Sequence, residues 1–228
     1  MNIDEQLRHE RKFVVMNVGA PELRTLLRCH PAVFSEVYLP RSINNVYFEL
    51  PDFRSYDDSV EGARDRIKIR IRWYGSTFGE AVKPCLECKI KHNALGFKRR
   101  FDLANLTVPG DLKGHRLRKA LRRSTLPPDV TAQLATAKAV LLNTYRRAYF
   151  VSADHRFRIT IDTNLRTYDV CGNFRQSIRR HSDANSVIVE LKYDQSAEED
   201  ADQITNALPF RLSKSSKYVT GMDKLFLW

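Results

Sequence analysis

Alternating apolar and polar residues predict that most of the chain is β-strand. The clearest run is RIKIRIRWY over residues 66–74, in which Ile67, Ile69 and Ile71 alternate with charged residues. Because strand side chains point to opposite faces with a period of two, this run predicts one apolar face and one cationic face. Similar runs predict further strands at 8–15, 44–50, 84–91, 97–103, 144–152, 156–163 and 186–194.

Helical spacing of apolar residues predicts helices between these strands. They are expected at 21–29, 111–123, 129–142 and 198–208, and a polar connection is expected at 51–65. We find no internal repeat, low-complexity tract or linker that would divide the chain. Antiparallel strands with helices inserted between them predict an α+β fold in a single domain, 1–228, built around a barrel.

Charged residues repeat on one face of several predicted strands. In residues 66–72 this face carries four cations, which would repel one another without an anion beside them. The matching faces of four other strands mix cations with a few acids. The residues on these faces are Arg66, Lys68, Arg70 and Arg72; Arg8, Glu10 and Lys12; Glu87, Lys89 and Lys91; Arg156, Arg158, Thr160 and Asp162; and Glu190 and Lys192.

Two arrangements of these faces are open. If the charged faces point to water, the apolar faces fill the barrel. If they point inward, the barrel is a charged tunnel and the helices cover its apolar outside. The inward arrangement explains why Glu stands two residues before Lys in three strands, at Glu10, Glu87 and Glu190. Cations there would hold phosphate oxygens, and carboxylates would hold Mg²⁺ or Mn²⁺ bound to them.

The overall charge narrows the class of partner. The 228 residues contain 38 Lys and Arg against 27 Asp and Glu, a net charge of +11, which favours an anionic partner. No apolar stretch approaches the roughly 18 residues needed to span a bilayer, and the N-terminus has no apolar core typical of a signal peptide. Four cysteines do not suggest a disulfide framework. We therefore expect a cytoplasmic protein.

Several motifs together resemble one family. RHERK, NNVYFE, RIKIRIRWYG, LECKIK, TYRRAYF, TIDT, VELKY and SKSSKYVTGM follow one another from about residue 8 to 225. In this order they resemble the VTC domain, the polyphosphate polymerase branch of the triphosphate tunnel metalloenzymes, which are relatives of the CYTH proteins. The resemblance implies an antiparallel eight-stranded β-barrel tunnel with helices packed on the outside.

The resemblance, with the strand faces, also implies roles for individual residues. Arg70, Arg72, Lys89 and Arg147 would be catalytic, acting on the triphosphate. Glu190 and Glu10 would hold Mn²⁺ or Mg²⁺. The implied substrate-binding residues are Arg8, Lys12, Arg66, Lys68, Lys91, Tyr145, Arg158, Lys192, Lys214 and Lys217.

The implied activity is transfer of the γ-phosphate of ATP, or of another nucleoside triphosphate, to inorganic polyphosphate. Two alternatives remain: a metal-dependent triphosphatase and a non-catalytic polyanion-binding module. Nucleic acid is not expected as a partner, because Phe13, Phe101 and Phe157 fall on apolar strand faces rather than on a basic stacking surface. A membrane partner is possible but is not encoded in this chain.

Other features have simpler interpretations. Cys85 and Cys88 lie three apart in a predicted strand, on opposite faces, so we expect structural roles rather than a zinc site. The basic residues of helix 111–123, among them Lys113 and Arg118, are expected to form a solvated face, with docking of an emerging polyanion or of an acidic membrane surface as the alternative. Ser213 is expected to be a helix N-cap, with Lys214 and Lys217 on one helical face.

Overall fold

One long antiparallel sheet forms the body of the molecule. The computed structural model describes residues 8–92, 95–110, 114–170 and 180–226. Within these ranges ten strands share the sheet. They are β1 (Arg8–Met16), β2 (Ser35–Glu49), β3 (Arg66–Tyr74), β4 (Gly79–His92), β5 (Leu95–Asp102), β6 (Leu106–Val108), β7 (Lys138–Val151), β8 (Phe157–Asp169), β9 (Arg180–Asp183) and β10 (Ser186–Asp194).

Helices occupy the connections between the strands. In the described ranges they are α1 (Ala20–Arg28), α2 (Arg54–Glu61), α3 (Gly114–Arg122), α4 (Pro128–Thr136), α5 (Glu198–Asn206) and α6 (Lys217–Phe226), with a 3₁₀ turn at Gln195–Ala197. The α+β class is therefore confirmed. None of the helices in the described part of the chain is long and apolar enough to cross a membrane.

The prediction of a closed eight-stranded barrel is wrong. The strand order is β1-β10-β8-β7-β2-β3-β4-β5, with β6 beside β4 and β9 beside β8, and no ladder in the described residues joins β1 to β5. The C-terminal segment meets β1 instead. Leu212 bridges to Phe13, and the Ser213 N–H donates to the Lys12 carbonyl at 2.8 Å. These contacts occupy backbone groups of β1 that a closing strand would need.

The open sheet nevertheless curls strongly. Glu10 on β1 and Lys89 on β4 form an ion pair at 3.7 Å, although five strands lie between β1 and β4 in the sheet order. We call the side of the sheet that carries these two residues, with Arg70 and Glu190, the concave face. The curl makes the charged side chains of distant strands converge on one volume.

The other side of the sheet carries the apolar core. Ile69 and Ile71 of β3 pack against Leu117 of α3 and Val130 of α4. Near the other end of the sheet, a second cluster joins buried residues of β1, β8 and β10 to α1 and α5; it includes Phe13, Ile159, Leu191, Leu23 and Ala201. The arrangement with charges inside and helices over an apolar outside is thus the one that the protein adopts.

Two segments differ from the predicted elements. The expected polar connection at 51–65 contains α2, which Gly62 ends in a left-handed conformation at φ 76°. The helix expected at 129–142 stops at Thr136, because Ala137 is extended and residues from Lys138 onward pair with β2. Sheet pairing overrides helical spacing there, and Leu141 and Leu142 are fully buried as strand residues. The short strands β6 and β9 were not predicted.

Helix α6 closes one end of the concave face. Its Tyr218, Met222 and Leu225 pack with Tyr47 of β2 and Leu141 of β7. Gly221 permits this close approach, because a Cβ there would lie 2.9 Å from side-chain atoms of Leu141 and Thr167.

Candidate functional site

A buried carboxylate organises the cations of β3. The Nε and Nη2 atoms of Arg70 donate to Oε2 of Glu87 at 2.8 and 2.6 Å, and Nη1 donates to the Tyr47 hydroxyl at 3.1 Å. Burial alone would raise the pKa of Glu87, but Arg70 and Arg72 lower it to about 2. Glu87 therefore remains ionised and fixes the guanidinium of Arg70.

Arg72 is held one step further along the strand. Its Nε donates to the side-chain carbonyl of Asn45 at 2.8 Å, and Nη2 lies 3.5 Å from the Tyr145 hydroxyl. Asn45 is itself fixed by a 2.8 Å hydrogen bond to Asn143. Burial would raise the pKa of Tyr145, but Arg147 and Arg72 beside it lower that pKa overall. The two arginines thus keep rigid positions on the concave face.

A second group of charges is almost completely buried. Arg147 donates from Nε and Nη2 to both oxygens of Asp162, at 2.5 and 2.6 Å, and from Nη2 to Glu190 at 3.0 Å. Lys217 of α6 contacts Asp162 at 2.5 Å and Glu190 at 2.9 Å. We call these four residues the carboxylate cluster. Its two acids and two cations compensate one another, as buried charges require.

The carboxylate cluster keeps Glu190 ionised. Burial would raise the pKa of Glu190, but Lys217 and Arg147 hold it well below its usual value. Burial would likewise lower the pKa of Lys217, and Asp162 and Glu190 raise it above the ordinary lysine value. Both Glu190 oxygens have cationic partners. Lys217 donates to Oε1, and Lys192 lies 3.4 Å from Oε2.

The lysines of the concave face, by contrast, crowd one another. Burial and then Lys89, Arg66, Lys12 and Arg70 lower the pKa of Lys68 to about 7. The pKa of Lys89 is also lowered, by burial and by neighbouring cations, even though Glu10 opposes the shift. The positive charges here exceed what the local carboxylates compensate, which is the electrostatic condition of an anion-binding site.

Glu10 is the more accessible of the two predicted metal ligands. It pairs with Lys12 at 3.3 Å and lies on the strand next to Glu190. Burial would raise its pKa, but Lys12 and other lysines lower it overall. Both groups are ionised oxygen donors, the type that Mg²⁺ and Mn²⁺ prefer. The described residues contain no group of three or more Asp, Glu, His or Cys placed to hold an ion. Two carboxylates supply only part of the ligands of such an ion, so phosphate oxygens of a substrate would have to supply others, and the metal would have to share Glu190 with Lys217, Arg147 and Lys192.

Most predicted site residues share the concave face, but some do not meet the centre of the site. Lys91 pairs with Arg66 across β3 and β4, and Arg66 donates to the Ala63 carbonyl at 3.0 Å. Arg158 is exposed, opposite Lys192. Only the backbone of Arg8 is described; its side chain, like Lys113 and Cys171, lies outside the described part.

The expectations for the C-terminal segment are wrong in two respects. Lys214 is exposed and precedes α6, so it does not share a helical face with Lys217. Ser213 is not a helix cap, because its hydroxyl accepts a hydrogen bond from the Val14 N–H at 3.0 Å. Instead, this segment crosses the concave face: Lys12 donates to the Ser215 carbonyl at 3.1 Å, and Lys68 lies 3.2 Å from the Ser216 hydroxyl.

The sequence assigns no role to several residues of the site. Asp162 and Glu87 stand on charged strand faces, but their function as partners of Arg147 and Arg70 depends on the sheet register. Lys98 and Arg100 pair with Lys89 and Glu87 on the same face. The period-two pattern of FKRRFDL could have identified these two cations.

Cys85 and Cys88 are oriented as their spacing predicts. Cys85 lies opposite Arg72 on the sheet, whereas Cys88 packs in the apolar core with Ile69, so their side chains point to opposite faces. Both are free and buried, and burial raises the pKa of each thiol, to about 11 for Cys88. They form no pair that could chelate an ion.

Comparison with known proteins gives a family match across nearly the whole chain. The model of the VTC domain family matches residues 7–226. No protein in a search of curated sequences matched the chain.

The search of solved structures gave matches at low sequence identity. A Vibrio parahaemolyticus protein described as a "putative adenylate cyclase" superposes with a TM-score of 0.51 at 13% identity, covering 95% of this chain and 99% of its own. A Bacillus halodurans protein of the same description gives a TM-score of 0.49 at 13% identity, covering 99% and 100%. A Hippeastrum protein, described as an adenylyl cyclase candidate with a dominant triphosphatase activity, gives 0.48 at 10% identity, covering 94% and 96%.

Proposed function

The chain belongs to the VTC domain family, and we propose that it transfers the γ-phosphate of a nucleoside triphosphate to inorganic polyphosphate. The acceptor and donor would both bind on the concave face. The observation that carries the proposal is the crowding of cations there: Lys68 lies opposite Lys89 across β3 and β4, and burial together with the neighbouring cations lowers the pKa of Lys68 to about 7. Polyphosphate carries its negative charge along a line, and the cations of the concave face are likewise spread along it.

In this proposal Arg70 and Arg72 clamp the reacting triphosphate. Glu87, Tyr47 and Asn45 fix both guanidinium groups before any ligand binds. Preorganised donors stabilise the charge that develops on the phosphate oxygens without a cost of reorganisation. Phosphoryl transfer needs chiefly positioning and charge stabilisation, and no protein nucleophile has to be assigned.

Lysines extend the clamp along the concave face. Lys68, Lys89, Lys98 and Lys192 carry compact ammonium groups that can follow the phosphates of a chain of any length. Arg147, although expected to act on substrate, has the carboxylates of Asp162 and Glu190 as partners. We propose that it positions Glu190 and the Tyr145 ring, over which its guanidinium lies at 5.4 Å.

Glu190 and Glu10 would hold the divalent metal. A bound Mg²⁺ or Mn²⁺ supplies positive charge to phosphate oxygens, and such ions are commonly held by one or two carboxylates together with substrate. Glu190 stays ionised because Lys217 and Arg147 surround it. The two carboxylates lie on neighbouring strands and face the same volume.

Hydrolysis of a short triphosphate is the second candidate. It is favoured by the segment before α6, which crosses the concave face through the contacts of Ser215 and Ser216 with Lys12 and Lys68. This segment covers part of the concave face. The part that remains uncovered would suit tripolyphosphate better than a long polymer. The same cations would then bind the substrate, and water would replace the acceptor phosphate.

The two functions differ in their products. Purified protein is incubated with ATP labelled in the γ-phosphate and with Mn²⁺, and the products are separated on a gel. The proposed function predicts labelled long-chain polyphosphate. Free phosphate without polymer would establish the triphosphatase instead. Binding of ATP without either product would indicate a polyanion-binding module.

A further inference from the structure

Two tyrosines and an arginine meet at the end of the concave face away from α6. Strand β2 runs from Ser35 to Glu49, and Glu49 hydrogen-bonds to Tyr218 of α6, so the Ser35 end is the opposite one. Near that end, Tyr38 pairs with Tyr149 and Arg41 pairs with Arg147 across β2 and β7. We call Tyr38, Arg41 and Tyr149 the mouth cluster. Arg147 is the sheet partner of Arg41, and Thr160 is the sheet partner of Tyr149. Both partners belong to the concave face.

The side chains of the mouth cluster contact one another. The rings of Tyr38 and Tyr149 lie 5.9 Å apart at 85°, and the Arg41 guanidinium lies 5.1 Å from the first ring and 5.6 Å from the second. Tyr38 is 58% exposed, so its ring remains accessible to a ligand.

The backbone of β2 is irregular where it carries this cluster. The pairing with β3 ends at Ile43, so among the residues that the structure describes, 35–41 pair with β7 alone. The register shifts between Glu36 and Tyr38 and again between Tyr38 and Arg41. Bulges of this type re-aim side chains, and they are common beside active sites. The sequence pattern of 35–41 predicted no strand, so the cluster could not be found before the register was known.

Resting on the proposed function, we infer that the mouth cluster binds the base of the nucleoside triphosphate donor. Arg41 precedes Asn45, the partner of Arg72, by four residues, which is roughly 13 Å of strand. A nucleoside would span this interval, with its phosphates at Arg72 and Arg70 and its base at the Arg41 side of the mouth cluster, where the Tyr38 ring lies 5.1 Å from the guanidinium. Aromatic rings and a guanidinium plane accept any base by stacking, so the site distinguishes a nucleotide from bare phosphate rather than one base from another.

The test compares two ligands that differ in the nucleoside. Dissociation constants of ATP and of tripolyphosphate, each with Mg²⁺, are measured by calorimetry for the wild type, Tyr38→Ala, Tyr38→Phe and Arg41→Ala. Stacking contributions of the usual size predict that Tyr38→Ala weakens ATP binding by about 5- to 100-fold. Tripolyphosphate binding should change by less than about twofold, and Tyr38→Phe should keep most of the affinity for ATP.

The control is Arg146→Ala, which removes an exposed arginine next to Arg147 but on the other face of β7. It should affect neither ligand. Unchanged ATP binding in Tyr38→Ala, or equal losses for ATP and tripolyphosphate, would overturn the inference. Because the readout is binding, it is independent of turnover: selective loss of ATP affinity in a protein that makes no polyphosphate would retain the base site and reject the proposed polymerase.

Discussion

Lys68 carries an amine whose pKa is about 7 in the folded protein, because burial and the neighbouring cations disfavour its charged form. A phosphate anion bound beside it would favour the charged form and raise this pKa. Binding would then take up a proton. The contribution of Lys68 to affinity should be full below pH 7 and should decline as the pH rises through 7.

Tripolyphosphate binding to the wild type and to Lys68→Arg, between pH 6 and 8.5, measures this linkage. Arginine stays charged throughout the range. Because both proteins bind the same ligand, the titration of the ligand itself cancels in the ratio of the two dissociation constants. We expect the wild type to lose affinity relative to Lys68→Arg as pH rises. Lys119 is exposed on α3, and Lys119→Arg serves as the control. The ratio of its dissociation constant to that of the wild type should not change with pH. A constant ratio for Lys68→Arg as well would contradict the role given to this lysine.

Glu190 has a structural role besides the proposed metal site. Replacing it with Gln leaves Lys217 and Arg147 with Asp162 as their remaining acidic partner in the carboxylate cluster. Hydrogen bonds between buried charged groups are worth about 1.5–3 kcal/mol each. Urea unfolding should show that Glu190→Gln lowers the free energy of unfolding by about that amount. Glu80 is exposed on β4, so Glu80→Gln should change the free energy of unfolding little. Equal stability of the two variants would show that the cluster is not a stabilising unit.

At the scale of single elements, α6 is positioned by a residue with no side chain. Ala at Gly221 would place its Cβ 2.9 Å from Leu141 and Thr167. Overpacking of a filled interior typically costs about 1–3 kcal/mol. Gly221→Ala should therefore lower the midpoint of thermal unfolding, while Gly110→Ala, which meets nothing within 4 Å, should not. A Gly221→Ala variant as stable as the control would mean that α6 moves away from the sheet without cost.

The sequence predicts the two faces of a strand where apolar and charged residues alternate regularly. RIKIRIRWY specified both faces of β3, because each Ile enters the core and each cation points to the concave face. The segment 138–142 was not predictable in this way, because KAVLL is apolar throughout and only pairing with β2 makes it a strand. The exposed first part of β2 has the same difficulty, since its bulges break the period of two.

The candidate site shows the same limit. Cations could be assigned to one face from spacing alone, but the partner of each cation could not. Arg70 with Glu87 and Arg147 with Asp162 are neighbours only through the register of antiparallel strands. The contact between Lys217 and Glu190 depends in addition on where α6 docks. Closure of the sheet was overestimated because the sequence does not reveal that Leu212 and Ser213 meet β1.

For the whole molecule, we propose that the concave face, and not the net charge of +11, acts on phosphate. A diffuse positive charge would attract polyphosphate through any exposed cation. A clamp would depend on the few cations that carboxylates and amides hold in place. Arg70, bound by Glu87 and Tyr47, represents the clamp, and exposed Arg118 on α3 represents the diffuse charge.

The measurement is the initial rate of phosphate transfer from ATP by wild type, Arg70→Ala, Arg70→Lys and Arg118→Ala at one salt concentration. Loss of a charge-assisted hydrogen bond in the transition state, at about 1.5–3 kcal/mol, predicts a rate about ten- to a hundredfold lower for Arg70→Ala. Arg70→Lys should recover only part of it, since an ammonium group cannot replace the planar fork. Arg118→Ala should stay within about threefold of the wild type. Similar losses at Arg70 and Arg118 would contradict the account.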